Sequence, residues 1–151
     1  MVPPKKYPIV LCVVLMIAIL LTACGGGAAP SSSGSTSAPT LAGPTWRWQK
    51  TEFNSGKTIP VASPDNYTLQ FATDGTVSIK ADCNTGSGNY VVANGTDLTI
   101  NVGAMTRAAC APDSLSDEFI TELGQVIHYT IDRNGELVLA LNTGAGMRYK
   151  Q

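Results

Sequence analysis

Beyond residue 45, apolar and polar residues alternate with period two through most of the chain, which predicts strands with one face turned to a core. Tyr67, Leu69 and Phe71 alternate with Thr68 and Gln70; after Asp74-Gly75 the pattern resumes with Val77 and Ile79 set against Ser78 and Lys80. Asp-Gly accepts the positive φ angles of a tight turn whose twist matches its flanking strands, so this segment predicts a hairpin. The construction recurs at Tyr90-Val91-Val92, Asn94-Gly95 and Leu98/Ile100, and again at Tyr129/Ile131, Asn134-Gly135 and Leu137/Leu139/Leu141. A first strand over Thr45–Phe53 and a last over Met147–Lys150, with Met147 and Tyr149 opposite in facing to Arg148 and Lys150, bring the count to about eight.

Between the second and third hairpins the period changes. Over Ser114–Gln125, Phe119, Ile120, Leu123 and Val126 share one helical face, while Asp117, Glu118, Thr121 and Glu122 fall mostly on the other. Ser114 with Asp117 three residues on resembles a capping box, acids crowd the first turn where the helix dipole favours them, and Gly124 is placed to stop the helix. The expected fold is therefore mainly β (α+β): an antiparallel meander of about eight strands, with one α-helix packed on an open end or side of the curled sheet; that the meander is compact and β-barrel-like is what the family resemblance given below implies. A barrel of about eight strands either fills with side chains or holds one small ligand. The many apolar residues on the inward faces favour the filled form.

The N-terminal part follows different rules. Lys5 and Lys6 form a positive n-region, Ile9–Leu21 an apolar h-region, and Leu21-Thr22-Ala23-Cys24 resembles a lipobox, at which diacylglycerol is joined to the cysteine sulfur before cleavage. The competing reading is a spanning helix over the uncharged run Tyr7–Ala23. Against it, no Lys or Arg follows before Arg47, whereas a stop-transfer helix carries basic residues close beyond its end. Residues 1–23 thus read as a lipoprotein signal peptide, and residues 24–44 as a lipidated Cys24 followed by a flexible tether of Gly, Ala, Ser, Thr and Pro. Such a composition cannot bury enough apolar surface to offset its ordering entropy, and its reach is roughly 25 Å. Two or three acyl chains on Cys24 make a stable anchor. The expected location is the bacterial cell envelope, on the extracytoplasmic side of a membrane.

Residues 45–151 suit one domain. Loss of Lys5 and Lys6 with the signal peptide leaves eight Lys and Arg against eleven Asp and Glu, a balance of minus three that argues against nucleic acid and against adhesion to anionic lipid. With Cys12 removed and Cys24 acylated, Cys83 and Cys110 remain. In an oxidising compartment an even pair reads first as a disulfide, closing a loop of about 28 residues and contributing roughly 3 to 4 kcal/mol. Free thiols are the alternative. Metal or redox chemistry lacks a Cys-x-x-Cys spacing, and a zinc site would have only His128 and carboxylates to complete it.

The run Ala81-Asp82-Cys83-Asn84, then Gly88-Asn89-Tyr90, then Leu98-Thr99-Ile100, then Gly103-Ala104-Met105-Thr106-Arg107-Ala108-Ala109-Cys110-Ala111-Pro112, followed by the acidic helix, resembles the META domain, also called HslJ-like. The resemblance spans Trp46 to Tyr149, and its most specific element is Cys-Asn followed by Met-Thr-Arg-x-x-Cys. It implies a small exported protein or lipoprotein with a β-barrel-like fold and a packed helix, linked in some relatives to envelope stress and antibiotic tolerance. One departure stands out: Asn84-Thr85-Gly86-Ser87-Gly88 replaces the usual Asn-Arg-Phe-Ser-Gly and lacks its Arg and aromatic.

The residues singled out for contact are Asn84, Thr106, Arg107, Trp46 and Trp48. Asn84 can bond its own backbone and start a Gly-rich turn. Arg107 reads as a structural fork for carboxylates or carbonyls, or else as an anion-binding pair with Thr106. Trp46 and Trp48 share a strand face and read as core, with ligand stacking as the alternative. No catalytic residue is assigned: His128, the one histidine, lies opposite Tyr129 and Ile131, and neither Gly-x-Ser-x-Gly, His-Glu-x-x-His nor a phosphate loop is present. No metal or cofactor is implied. The expected role is non-enzymatic, that of a tethered, monomeric accessory that meets an envelope protein, with a small-ligand-binding barrel as the alternative.

Overall fold

The computed structural model describes residues 40–151. The expected signal peptide, the expected lipidation site Cys24 and most of the expected tether lie outside the described residues. Nine strands follow in chain order: β1 (Thr45–Glu52), β2 (Thr58–Pro60), β3 (Tyr67–Phe71), β4 (Thr76–Ala81), β5 (Asn84–Ala93), β6 (Asp97–Met105), β7 (Val126–Ile131), β8 (Leu137–Leu141) and β9 (Gly146–Lys150). The helix α1 (Ser116–Leu123) lies between β6 and β7. The sheet order is β2-β1-β3-β4-β5-β6-β7-β8-β9, all antiparallel, and β1 also pairs with β9, so the sheet closes into a barrel-like ring. Sequential hairpins make most of these neighbours, because short turns join antiparallel strands at little entropic cost.

The alternation seen in the sequence is the alternation of the barrel wall. Leu69, Phe71, Val77, Leu98, Leu137, Leu139, Met147 and Tyr149 are buried on the inside, while Gln70, Ser78, Thr99 and Lys150 are exposed. The three expected hairpin turns are present, with Gly75, Gly95 and Gly135 at positive φ. Strand β1 is shared: Thr45–Arg47 pair with β3, Lys50–Glu52 pair with β2, and the opposite edge pairs with β9 across a shift between Trp48 and Lys50.

Four local expectations are corrected. The ninth strand is β2, three residues ending in Pro60, too short to show any periodicity. The turn between β4 and β5 is made by Asp82 and Cys83, with Asp82 at φ 56°, so Asn84 opens a strand and does not start a turn. Helix α1 begins at Ser116; Ser114 Oγ accepts the Ser116 N–H at 3.2 Å, and no side chain caps the helix as a capping box would. The folded part also starts before Thr45. Leu41 is buried, Ala42 bridges Phe71, Gly43 N–H bonds the Phe71 carbonyl, and Trp46 Nε1 donates to the Leu41 carbonyl at 2.8 Å.

Helix α1 places Phe119 and Leu123, both fully buried, into the barrel. Phe119 meets Trp48 at 5.1 Å and Tyr67 at 5.7 Å between ring centroids, the second edge-on, an arrangement aromatic quadrupoles favour. The interior is occupied by Trp46, Trp48, Phe71, Phe119 and Tyr149 together with aliphatic side chains. Truncating one such ring to alanine costs about 3 to 5 kcal/mol, which makes α1 part of the core as much as its lid. Among the described residues no helix is long and apolar enough to cross a membrane.

Candidate functional site

The motif residues converge at one end of the barrel, where the β4–β5 turn meets the loop between β6 and α1. Cys83 and Cys110 form a disulfide there, with Cα atoms 5.5 Å apart. Beside it Asn84 is buried, because β5 begins at that residue and turns its side chain under the loop. Asn84 Oδ1 accepts the Ala108 N–H at 2.8 Å and the Thr106 hydroxyl at 3.1 Å. Its Nδ2 donates to the Ala108 carbonyl at 3.2 Å and contacts Cys110 Sγ at 3.3 Å. Thr106 Oγ1 in turn accepts the Thr85 N–H at 2.9 Å, and the Thr106 N–H bonds the Thr85 carbonyl. A covalent bond and a buried amide thus hold the same loop.

Thr106 and Arg107, considered together as an anion-binding pair, part company in the structure. The Thr106 hydroxyl is committed to Asn84 and Thr85, while Arg107 is exposed and, among the described residues, takes part in no ion pair or side-chain hydrogen bond. The structural-fork reading of Arg107 is therefore corrected: the loop is held from below by Asn84, not from its own Arg. Beside Arg107 runs a groove of about 850 Å³ between β6 and α1, walled by Val102, Gly103 and Met105 on the strand side and by Asp117 and Ile120 on the helix side.

The glycines of Asn84-Thr85-Gly86-Ser87-Gly88 have a steric cause. A Cβ on Gly86 would collide with the Ala104 carbonyl and with Met105 Sδ, and one on Gly88 with the Asn101 carbonyl. The β5–β6 ladder shifts register at this point, between Gly86 and Gly88. Met105 therefore lies where a side chain at position 86 would point.

Trp46 and Trp48 are fully buried and serve the core, leaving neither free to stack on a ligand. Trp48 leads to a feature the helical pattern misses. Its Nε1 donates to Thr51 Oγ1 at 3.2 Å, and Thr51 donates to Glu122 Oε2 at 2.7 Å. Glu122, expected on the outer helix face, is buried. Burial pushes its carboxyl above the usual range, with nearby Glu118 adding to the rise and the Thr51 hydroxyl opposing it. Tyr149, also fully buried, is held well above the usual tyrosine range by burial and then by the Glu122 charge. Simple alternation from Trp46 and Trp48 sets Thr51 on the outer face; the register shift between Trp48 and Lys50 turns it inward, so the sequence carried no signal of this contact.

His128 is half-exposed at the β6–β7 seam, with Nδ1 3.5 Å from Asp97 Oδ1. The Asp97 carboxyl is held below its usual range, first by Asn94 and then by His128. Among the described residues no group of three or more His, Cys, Asp or Glu is gathered to hold a metal ion.

Solved structures repeat this architecture. A protein from Burkholderia xenovorans, determined by NMR, is 20% identical, covers 82% of this chain and 96% of its own, and superposes with a TM-score of 0.59. A DUF4847-family protein from Bacteroides vulgatus is 18% identical, covers 72% of this chain and 92% of its own, with a TM-score of 0.56. A third, also an NMR structure, is 29% identical over 70% of this chain and 86% of its own, with a TM-score of 0.51. No curated protein matches the sequence. The first two likenesses concern the fold alone. The META domain family model matches residues 39–151, the whole barrel with its disulfide loop and helix, and the chain belongs to the META domain family.

Proposed function

We propose that this protein is a lipid-anchored, non-enzymatic component of the bacterial envelope, held to its membrane through Cys24 and engaging another envelope protein through the loop Met105–Cys110 and the adjoining groove. The observation that carries the reading is the division of labour among the motif residues. Cys83, Cys110, Asn84 and Thr106 all serve to brace one loop, while the Arg107 they raise is left facing solvent. A rigid, solvent-facing loop beside a groove suits recognition of a partner, since pre-ordering the loop lowers the entropy lost on binding. The filled interior leaves a ligand-holding barrel without support. A role in envelope integrity under stress follows from the anchor and the family together.

Two measurements test this. Cys24→Ala should leave the protein as retained precursor or release it from membranes; unchanged membrane fractionation overturns the anchor. A photo-crosslinking residue at position 107, in protein on its own membranes, should join it to another envelope protein, while one at Lys150 should not. Equal or absent cross-linking at both positions overturns the interaction surface.

A further inference from the structure

Strand β6 is bonded to β5 along nearly its whole length, but its other edge is almost free. It pairs with β7 at one position, Asp97 opposite His128, and Tyr129 N–H adds one bond to the Thr96 carbonyl. From Ile100 to Met105 no strand pairs with that edge among the described residues. Helix α1 stands off from it, and the space between them is the groove of about 850 Å³. The ring of strands therefore has a gap whose strand-side wall is a row of main-chain groups, with half-buried Met105 and Ile120 as apolar contacts.

An unpaired sheet edge presents N–H and C=O groups in alternation at the spacing of an extended chain. A packed helix has already bonded its own main-chain groups, and a small apolar molecule has none to offer. The chemistry that complements such a row is an extended polypeptide. Charge narrows the class further. Arg107, just past the end of β6, is exposed and has no ion-pair partner among the described residues, whereas Asp117 on the helix wall repels a second acid.

We propose that the groove binds an extended segment of a partner protein, added as a strand to the free edge of β6, with a single carboxylate placed over Arg107. This rests on the interaction surface assigned above and names the partner's chemistry.

The test selects random ten-residue peptides, displayed on phage, on the lipidated mature chain beginning at Cys24, held in detergent micelles, and synthesises the enriched ones. The expected peptides carry one acidic residue, slow amide hydrogen exchange across Ile100–Met105, and bind at least about ten-fold more weakly when alternate backbone nitrogens are methylated. Arg107→Glu should weaken them about ten-fold and favour peptides with Lys in place of the acid. Peptides that protect only the Met105–Cys110 loop and survive N-methylation would overturn strand addition while leaving the interaction surface standing. Failure to enrich any peptide, together with no cross-link from position 107, would remove both. Exchange protection of β6 already present in the free chain and lost on deleting residues 25–39 would assign the groove to the chain's own tether instead.

Discussion

Asn84 grips both sides of Ala108: its side-chain oxygen accepts the Ala108 N–H at 2.8 Å while its nitrogen donates to the Ala108 carbonyl at 3.2 Å. The amide thus replaces a strand neighbour for the exposed loop, tying its main chain to a side chain buried at the start of β5.

Replacing Asn84 should accordingly cost more than an average substitution. Asn84→Ala removes the bonds to Ala108 and Thr106, and stability should fall by about 2 to 4 kcal/mol. Asn84→Asp should be no milder, because it sets a buried charge against the Ala108 carbonyl. Urea denaturation measures both; a loss below about 0.5 kcal/mol for the alanine variant would show that the loop is held by the disulfide alone.

The bridge makes its own prediction. Reduction, or Cys83→Ala with Cys110→Ala, should lower stability by roughly 2 to 5 kcal/mol with the strands still formed, since the hairpins of β3–β4, β5–β6 and β7–β8 do not depend on it. Combined with Asn84→Ala the losses should be non-additive, because both act on one loop. Two alkylatable thiols in unreduced protein taken from the envelope would remove the premise.

Glu122 sets a pH dependence of definite sign. Its folded pKa is raised, by burial first, so its contribution to stability is fully present below the ordinary carboxyl range and is lost as pH rises through the folded value. Glu52, Asp74, Asp97 and Asp132 are shifted the other way by hydrogen bonds, so their contributions are present at neutral pH and lost on acidification. The difference between Glu122→Gln and the parent isolates the first effect: the variant should gain relative stability from about pH 4 to pH 7. Parallel stability profiles would show that Glu122 titrates as an exposed carboxyl.

At the β5–β6 register shift, Gly86→Ala and Gly88→Ala should each destabilise by about 1 to 3 kcal/mol, because the new Cβ meets a neighbouring backbone carbonyl. Gly124→Ala is the control. That residue ends α1 at φ −70°, with only Thr121 O at 3.5 Å near a new Cβ, so the change should be neutral or slightly stabilising. Thermal midpoints separate the two outcomes.

The hairpins and the helix were legible from the order of residues, because each depends on neighbours a few positions apart; closure of the ring sets Arg47 against Lys150, and its expectation came from the family resemblance. Tyr67-Leu69-Phe71 needs only the pleat of a strand, and Asn94-Gly95 only the φ angles of its turn. Cys83 and Cys110 were legible as a pair from their number and the expected compartment. What the tertiary structure alone decided depends on segments that meet across long separations. Leu41 looks like tether until Trp46 bonds its carbonyl and the next residue, Ala42, bridges Phe71. Glu122 looks like a solvated helix face until Thr51, 71 positions earlier, meets it under the barrel wall. Asn84 looks like a turn former until Ala108, 24 positions on, is laid against its amide. A polar side chain satisfied by a distant partner leaves no periodic trace, whereas an apolar one removed from water repeats with the geometry of its element.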